Sequence, residues 1–515
     1  MVEVVMQNPL HLAGARSVQD HIDELPIWSD GTKLSSAPMT GMQWLIWSLA
    51  AAGKFFEGFV VFMTGVALPL LSSEFSLGAS EHGIISATSL FGILVGAIAL
   101  GGMSDRFGRK TMFIAEMVIF VAFLVGLVFA TNFYFLVFCL LGLGISLGCD
   151  YPTAHMIISE SIPSTARGRL VLGAFAFQAV GALAGTAIGY FVLSTLPEIS
   201  AWRWMYASAI IPALLVTIGR FYVVESANWL FSRGEIKKAE EATKKLLVRT
   251  PQYPSEVKLA PRGDARTAEA GQQSYAALFN KTNRRATILA SVPWFLQDLG
   301  TYGIGIFTPT ILAAALGANS DHARSVSDLI ANDITAAKGA AMITALLIVG
   351  ILFAIMLADV VGRIFLQIVG FIGCAAGLFL ASLSSSFTGG SQTLLIFAGF
   401  MLFNFMTNLG PNAQTYLLAG EVFPTAIRGK GAGFAAAFAK LGAVLTAFLF
   451  PILLDTIGTT ALLYGLIVVS LLGAVVTWFY RIETTGLNLD RLEDAGGSAE
   501  PAAAIPVPAQ QVSAG

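Results

Sequence analysis

Six ionisable side chains stand inside otherwise apolar stretches of this sequence: Lys54, Glu57, Glu116, Asp150, Asp298 and Lys440. A charge near the centre of a bilayer costs about 3 kcal/mol or more, so each marks a place where something is bound or moved. Asp150 lies in Gly148–Cys149–Asp150–Tyr151–Pro152, where the proline releases a backbone carbonyl. An acid in such surroundings suits a proton carrier, and a neutral aspartic acid pinning a kink is the other reading. Trp294, Asp298 and Tyr302 recur at i, i+4 and i+8, so a helix puts an indole N–H, a carboxylate and a phenol on one face. That resembles a pocket wall; an aromatic core stripe has no need of the aspartate.

Asn404, Asn408, Asn412 and Tyr416 also follow one another at steps of four, which predicts a polar seam facing water. Hydrogen bonding between helices accounts for one or two such residues. Gln178 lies beside Gly181, Gly185 and Gly189, whose spacing is that of a helix-packing face. Lys54 and Glu57 are three apart and suit a pair with each other, while Lys440 needs an acidic or anionic neighbour. Glu116 faces either the interior or the loop region. His155, four residues after Tyr151, either relays protons or is a hydrogen-bonded helix histidine.

The elements that must position these residues follow from composition. The 515 residues are 55% hydrophobic and only 12% charged, against roughly 25% charged in an average soluble domain. Apolar stretches of about 20 residues each suffice to cross a bilayer as a helix, the form that satisfies every backbone group without water. The expected spans are 43–72, 82–102, 111–130, 133–158, 170–194 and 204–224, then 286–316, 338–357, 364–384, 392–419, 431–454 and 461–480. The fold class is therefore an all-α integral membrane protein of twelve transmembrane helices. With both termini cytoplasmic, the loops on that side hold 21 Lys and Arg and the opposite loops only Arg203, Arg324 and Lys338, the asymmetry of the positive-inside rule.

The sequence also repeats. Gly102–Lys110 (GMSDRFGRK) and Ala358–Arg363 (ADVVGR) each place Gly three and Arg four residues after an Asp. Glu160–Arg169 (ESIPSTARGR) matches Glu421–Lys430 (EVFPTAIRGK), and Glu225–Ser226 matches Glu483–Thr484. The offsets are 254, 261 and 258 residues, nearly constant. The expected domains are a cytoplasmic tail (1–40), a six-helix half (41–224), a linker (225–285) with an amphipathic helix over Gly234–Arg249, a second half (286–482) and a tail (483–515), Ala/Pro/Gly-rich and disordered from Asp494. Parallel six-helix repeats are a transporter architecture, with the solute at the interface of the halves. Asp105, Arg106, Arg109, Glu160, Arg167, Asp359, Arg363, Glu421 and Arg428 are the expected gate residues, joining neighbouring helices by charge-assisted bonds; fixing loop conformation and topology is the alternative.

These loop motifs resemble those of the major facilitator superfamily, in its sugar-porter-like branch, over residues 40–490. A second set, GCDYP at Gly148–Pro152, Gln178, W-F-x-x-D-x-x-x-Y at Trp294–Tyr302, G-P-N at Gly410–Asn412 and A-K-x-G-A around Lys440, resembles the proton-coupled phosphate symporters of plants and fungi. That resemblance implies Tyr151, Gln178, Trp294, Asp298, Tyr302 and Asn412 as substrate contacts, Lys440 in the same site, and Asp150 in proton transfer, with Glu57 at one of the family's two first-span acids. Val60 stands at the other, and Thr153–Ala154–His155 replaces the small residues that follow the family's DYP.

Other classes fit less well. Gly144–Gly148 reads G-x-S-x-G, but mid-helix rather than at a strand–helix turn. A P-loop is absent, so ATP does not power transport directly. Five scattered histidines and three cysteines inside helices predict no metal centre and no disulfide framework. The first 40 residues lack the layout of a cleaved signal peptide. The expectation is a non-enzymatic, cofactor-free, proton-coupled symporter importing a small polar or anionic solute such as phosphate, lying in membrane lipid, most simply a bacterial inner membrane, and binding no nucleic acid. An organic carboxylate or sugar-like solute is the alternative cargo, and a transport-deficient sensor the alternative class.

Overall fold

The computed structural model describes residues 17–25, 37–100, 103–248, 257–259, 275–316, 326–424 and 427–484. The predicted disordered tail from Asp494 lies outside them. Every described regular element is helical. In the first half these are α1 (Gly41–Phe75), α2 (Ala79–Leu100), α3 (Arg109–Val128), α4 (Phe133–Ser161), α5 (Arg167–Thr195) and α6 (Ala201–Ala207 with Ile210–Phe221). The second half has α7 (Arg284–Leu316), α8 (Val326–Val361), α9 (Arg363–Leu383) and α10 (Gly390–Leu409 with Pro411–Glu421). Arg428–Tyr480 is interrupted at Gly458, whose φ of 78° divides it into α11 (428–457) and α12 (459–480). Ten stretches are long and apolar enough to cross a membrane. The last of these spans both α11 and α12, and the 33-residue α7 adds another crossing. The result is twelve transmembrane helices in two six-helix halves.

Two boundaries differ from expectation for physical reasons. Helix α8 starts twelve residues before the expected 338, because its first turns carry Asp328, Asp333 and Lys338, which hydropathy reads as loop. Helix α10 breaks at Gly410, where Pro411 opens the second piece as its first residue. The predicted seam is thus shared between two helical pieces. The amphipathic helix expected over Gly234–Arg249 occupies Ile236–Leu246.

The repeat is visible in backbone geometry. Gly108 and Gly362 precede α3 and α9 with φ of 101° in both, a left-handed conformation that a side chain would strain. Glu225 accepts from the Lys110 N–H at 3.0 Å, and Glu483 accepts from Arg363 and Ile364 N–H groups at 3.1 Å each, so each glutamate caps the following helix.

The glycines of α5 pack against α1 as their spacing predicts. Gly181 leaves no room for a Cβ beside the Phe55 carbonyl, and Gly58 none beside that of Gln178. This close crossing brings Gln178 within reach of the ionisable residues of α1. Between the halves, α5 packs on α8, α2 on α11 and α1 on α7.

Candidate functional site

Four of the six charged residues singled out from sequence, Lys54, Glu57, Asp298 and Lys440, form one cluster where α1, α5, α7 and α11 meet. Glu57 is its centre. Lys54 Nζ donates to Glu57 Oε2 at 2.8 Å, one helical turn away. Gln178 of α5 donates to Glu57 Oε1 at 3.2 Å, and Lys440 of α11 reaches the same oxygen at 3.3 Å. Lys440 also donates to the Tyr302 hydroxyl at 2.6 Å and sits 4.5 Å from that ring's centre. Gln178 donates to the same hydroxyl at 3.1 Å, and Tyr302 donates to Glu57 at 3.4 Å. Asp298 lies 3.7 Å from Lys440 Nζ and is 1% exposed, and its Oδ2 has no hydrogen-bond partner among the described residues. The acidic neighbour that Lys440 required is therefore two carboxylates, one from each half.

Beside this cluster is a narrow cavity of about 20 Å³, lined by Gln178, Tyr302, Thr301, Asn408 and Asn412 on its polar side. Phe62, Ala179, Ala182 and Leu347 supply an apolar wall. The Trp294–Asp298–Tyr302 stripe does not line this cavity as a unit. Tyr302 lines it, Asp298 acts through Lys440, and Trp294 packs edge-on against Tyr416, ring centres 6.1 Å apart. The asparagines divide as well. Asn404 and Asn408 donate to the carbonyls of Ile343 and Leu347 on α8, at 3.2 and 2.8 Å, and Asn412 donates to Asn408 at 2.6 Å. Asn404 is a tie between helices, and the cavity begins at Asn408.

Sequence reasoning missed Thr301. It joins Gln297, at 2.6 Å, and Thr407, at 3.0 Å, in a hydroxyl chain between α7 and α10. Its signal was faint, because threonine is ordinary in a transmembrane helix.

Asp150 belongs to a second cluster. Arg220 of α6 donates from Nη2 to Asp150 at 2.6 Å and from Nη1 to Glu116 at 2.7 Å, with further bonds to the carbonyls of Phe113 and Leu49. The guanidinium is fully buried and its carbon lies 3.6 Å from the Phe113 ring centre. Gly53 of α1 packs directly on the Asp150 carboxylate. Glu116 therefore faces the interior. Arg220, counted above among the cytoplasmic-loop cations, is a core residue. The side chains of Tyr151, Asp105 and Arg428 lie outside the described residues.

On one side of the cavity, toward the loop motifs, the halves meet through an aromatic contact. The Tyr416 ring stacks on Phe175 of the other half at 4.4 Å, and its hydroxyl lies 3.1 Å from His155 Nδ1. Toward the far end the halves meet backbone to backbone: a Cβ on Gly65 would strike the Ile306 carbonyl, and one on Gly83 would lie 2.5 Å from that of Phe448.

The loop motifs form two matching networks. Arg109 holds Glu160 at 3.2 Å and the Ser104 carbonyl at 3.1 Å, and Ser226 also bonds Glu160. Arg363 holds Glu421 at 3.3 Å, Asp359 at 2.8 Å and the Ala358 carbonyl at 2.9 Å, and Thr484 bonds Glu421 at 2.5 Å. Each described network joins helices of one half, so in this conformation they brace the bundles. Arg106 is exposed, its carbonyl accepting from Arg233, and Arg167 lies 3.5 Å from Ser164.

Comparison with known proteins agrees with this architecture. The family model described as sugar (and other) transporter matches residues 46–495. The inner membrane metabolite transport protein YgcS of Escherichia coli is 30% identical over 91% of this chain and 98% of its own length. A putative inorganic phosphate transporter of Schizosaccharomyces pombe, C8E4.01c, is 27% identical over 88% of each chain. The solved structure of the proton:xylose symporter XylE bound to 6-bromo-6-deoxy-D-glucose superposes with a TM-score of 0.68 at 22% identity, over 88% of this chain and 98% of that one. The chain belongs to the sugar (and other) transporter family, as a multi-pass membrane secondary transporter of the major facilitator fold.

Proposed function

We propose that the chain is a proton-coupled symporter carrying a small anion into the cell by alternating access. The observation that carries this is the charge balance of the central cluster. Lys54 and Lys440 face Glu57 and Asp298, two of each sign, so the ionised cluster is neutral. An anion entering beside it adds an uncompensated charge in a low-dielectric interior, which is strongly disfavoured. One proton on a carboxylate restores neutrality. Asp298 is suited to take it, since its Oδ2 makes no hydrogen bond and meets Lys440 Nζ only at 3.7 Å, the longest ion pair of the cluster. Anion and proton then bind together, and that is the requirement for symport.

In this reading Gln178, Tyr302, Asn412 and Lys440 are the solute contacts, and Trp294 backs Tyr416 below them. Glu57 and Asp298 hold the balancing charges. Asp150 carries a proton on the Arg220–Glu116 cluster, and the motif networks keep each half rigid while it rocks. With the motif end cytoplasmic, Tyr416 on Phe175 is part of the inner door. Phosphate satisfies the donors of the site. The apolar wall of Phe62, Ala179, Ala182 and Leu347 favours a second cargo, a small organic carboxylate whose carbon skeleton packs there.

Reconstituted vesicles with an acidic exterior test the proposal, using labelled phosphate, a set of labelled small carboxylates and xylose. Accumulation of an anion that stops on adding a protonophore is the expected result. Accumulation of xylose alone, or of nothing, contradicts it. A chain that binds solute without moving it belongs to the sensor class instead.

A further inference from the structure

Asp333 is the one titratable group in the described second half that neither the central cluster nor the motif networks use and that is buried without a partner. It is 3% exposed, and neither carboxyl oxygen has a hydrogen-bond partner among the described residues. Its place on α8 gives this meaning. Asp333, Ala340 and Leu347 recur at seven-residue steps and so lie along one face of the helix. Leu347 lines the central cavity opposite Ala179 and Ala182 of α5, and Ala337, Ala340 and Thr344 between them are buried. Asp333 therefore stands about 21 Å from Leu347 along the helix, toward the far end and level with the last turn of the antiparallel α5. That register places it at the outer end of the face by which α8 packs on α5.

Among the described residues no charge compensates it there; Arg324 lies outside them. The facing stretch of α5 offers only Tyr190, which is half-buried, and the far-end stretches of α7 and α10 carry no ionisable side chain. On its own helix Lys338 is exposed, and the Asp328 side chain lies outside the described residues. Beyond α5, Glu198 is exposed and bonded to Ser200.

We propose that Asp333 is a second proton-binding site, loaded from the far side as the outer seam closes. A carboxylate removed from water with no hydrogen bond and no cation is strongly disfavoured, so the closed seam accepts Asp333 only as the neutral acid. When the halves part at the far end, the same group meets water and ionises. Closing thus takes up one proton and opening releases it. Because the closed form binds the extra proton, acid favours a closed far end and alkali an open one. This inference rests on the two-sided cycle proposed above, but not on the identity or charge of the solute.

The test needs no solute. In a background where the buried cysteines 139, 149 and 374 are replaced by alanine, Ala337→Cys reports opening of the seam. A membrane-impermeant maleimide is applied from the far side between about pH 5.5 and pH 8.5, the range bracketing a shifted carboxylic acid. Rates are normalised to Glu198→Cys, an exposed position. The normalised rate is expected to rise with pH, by at most about tenfold per unit, the limit for one linked proton. Asp333→Asn should abolish that dependence, and Asp333→Glu should keep it, which separates loss of the proton from loss of the fold. Equal pH dependence in native and Asn forms overturns the role of Asp333. Labelling at no pH in any form means that the seam never opens, and overturns the carrier cycle with it.

Discussion

At the scale of the residue, the cavity's chemistry rests on few charges held against one another. Lys440 is the clearest case, because it neutralises Glu57 at 3.3 Å and Asp298 at 3.7 Å and holds the Tyr302 hydroxyl. Lys440→Gln leaves an excess of buried negative charge and should cost about 3–5 kcal/mol of stability along with uptake. Adding Asp298→Asn removes one of the stranded carboxylates, so the double variant should melt higher than Lys440→Gln alone, by about 0.5–3 kcal/mol of coupling. Strictly additive melting shifts would show that the two do not share a charge balance. The second cluster makes a contrasting prediction. Asp150→Asn keeps a side chain able to meet Arg220 and leaves Glu116 in place, so the fold and solute exchange should survive while proton-driven accumulation is lost. Arg220→Met strands two carboxyls and should lower stability by about 3–5 kcal/mol. Intact accumulation in Asp150→Asn contradicts its part in coupling.

At the scale of the element, legibility followed the physics of each signal. Hydropathy showed the spans because a bilayer admits few alternatives, and the loop motifs showed the duplication because Gly108 and Gly362 answer the same backbone requirement. An alanine at either should cost about 1–3 kcal/mol, since φ of 101° with ψ of 150° and 148° is a region essentially confined to glycine. Similar losses at the two positions are expected, and melting temperatures of Gly108→Ala and Gly362→Ala measure them. Ionisable residues in apolar stretches pointed to the site, and Glu57, Gln178, Tyr302 and Lys440 do meet. What could not be read was partnership across helices. Arg220 looks like a loop cation because it stands one turn from a span's end, yet it bonds residues of α3 and α4 more than 60 positions away. Counting charges held the clue, since Lys54 can match one of the first half's three buried acids and not the others. Asp333 escaped for the opposite reason, its polarity making the start of α8 look like loop. The break at Gly410 was hidden by four-residue spacing that continues through it.

At the scale of the whole molecule, the two ends of the cavity are built differently. Tyr416 stacks on Phe175 at the motif end, while at the far end the backbones of α1 and α7 and of α2 and α11 meet at Gly65 and Gly83. In the proposed cycle, rocking that opens one set while closing the other carries the cavity from side to side, and the four-charge cluster sets which solute crosses with a proton. The most direct measurement is of proton movement driven by solute alone. Vesicles containing the purified chain, with no pH gradient and the membrane potential clamped, receive phosphate or the transported carboxylate outside while external pH is followed. Alkalinisation of the medium that rises with solute uptake and disappears in Asp298→Asn is the predicted result; uptake with no movement of protons would contradict the account.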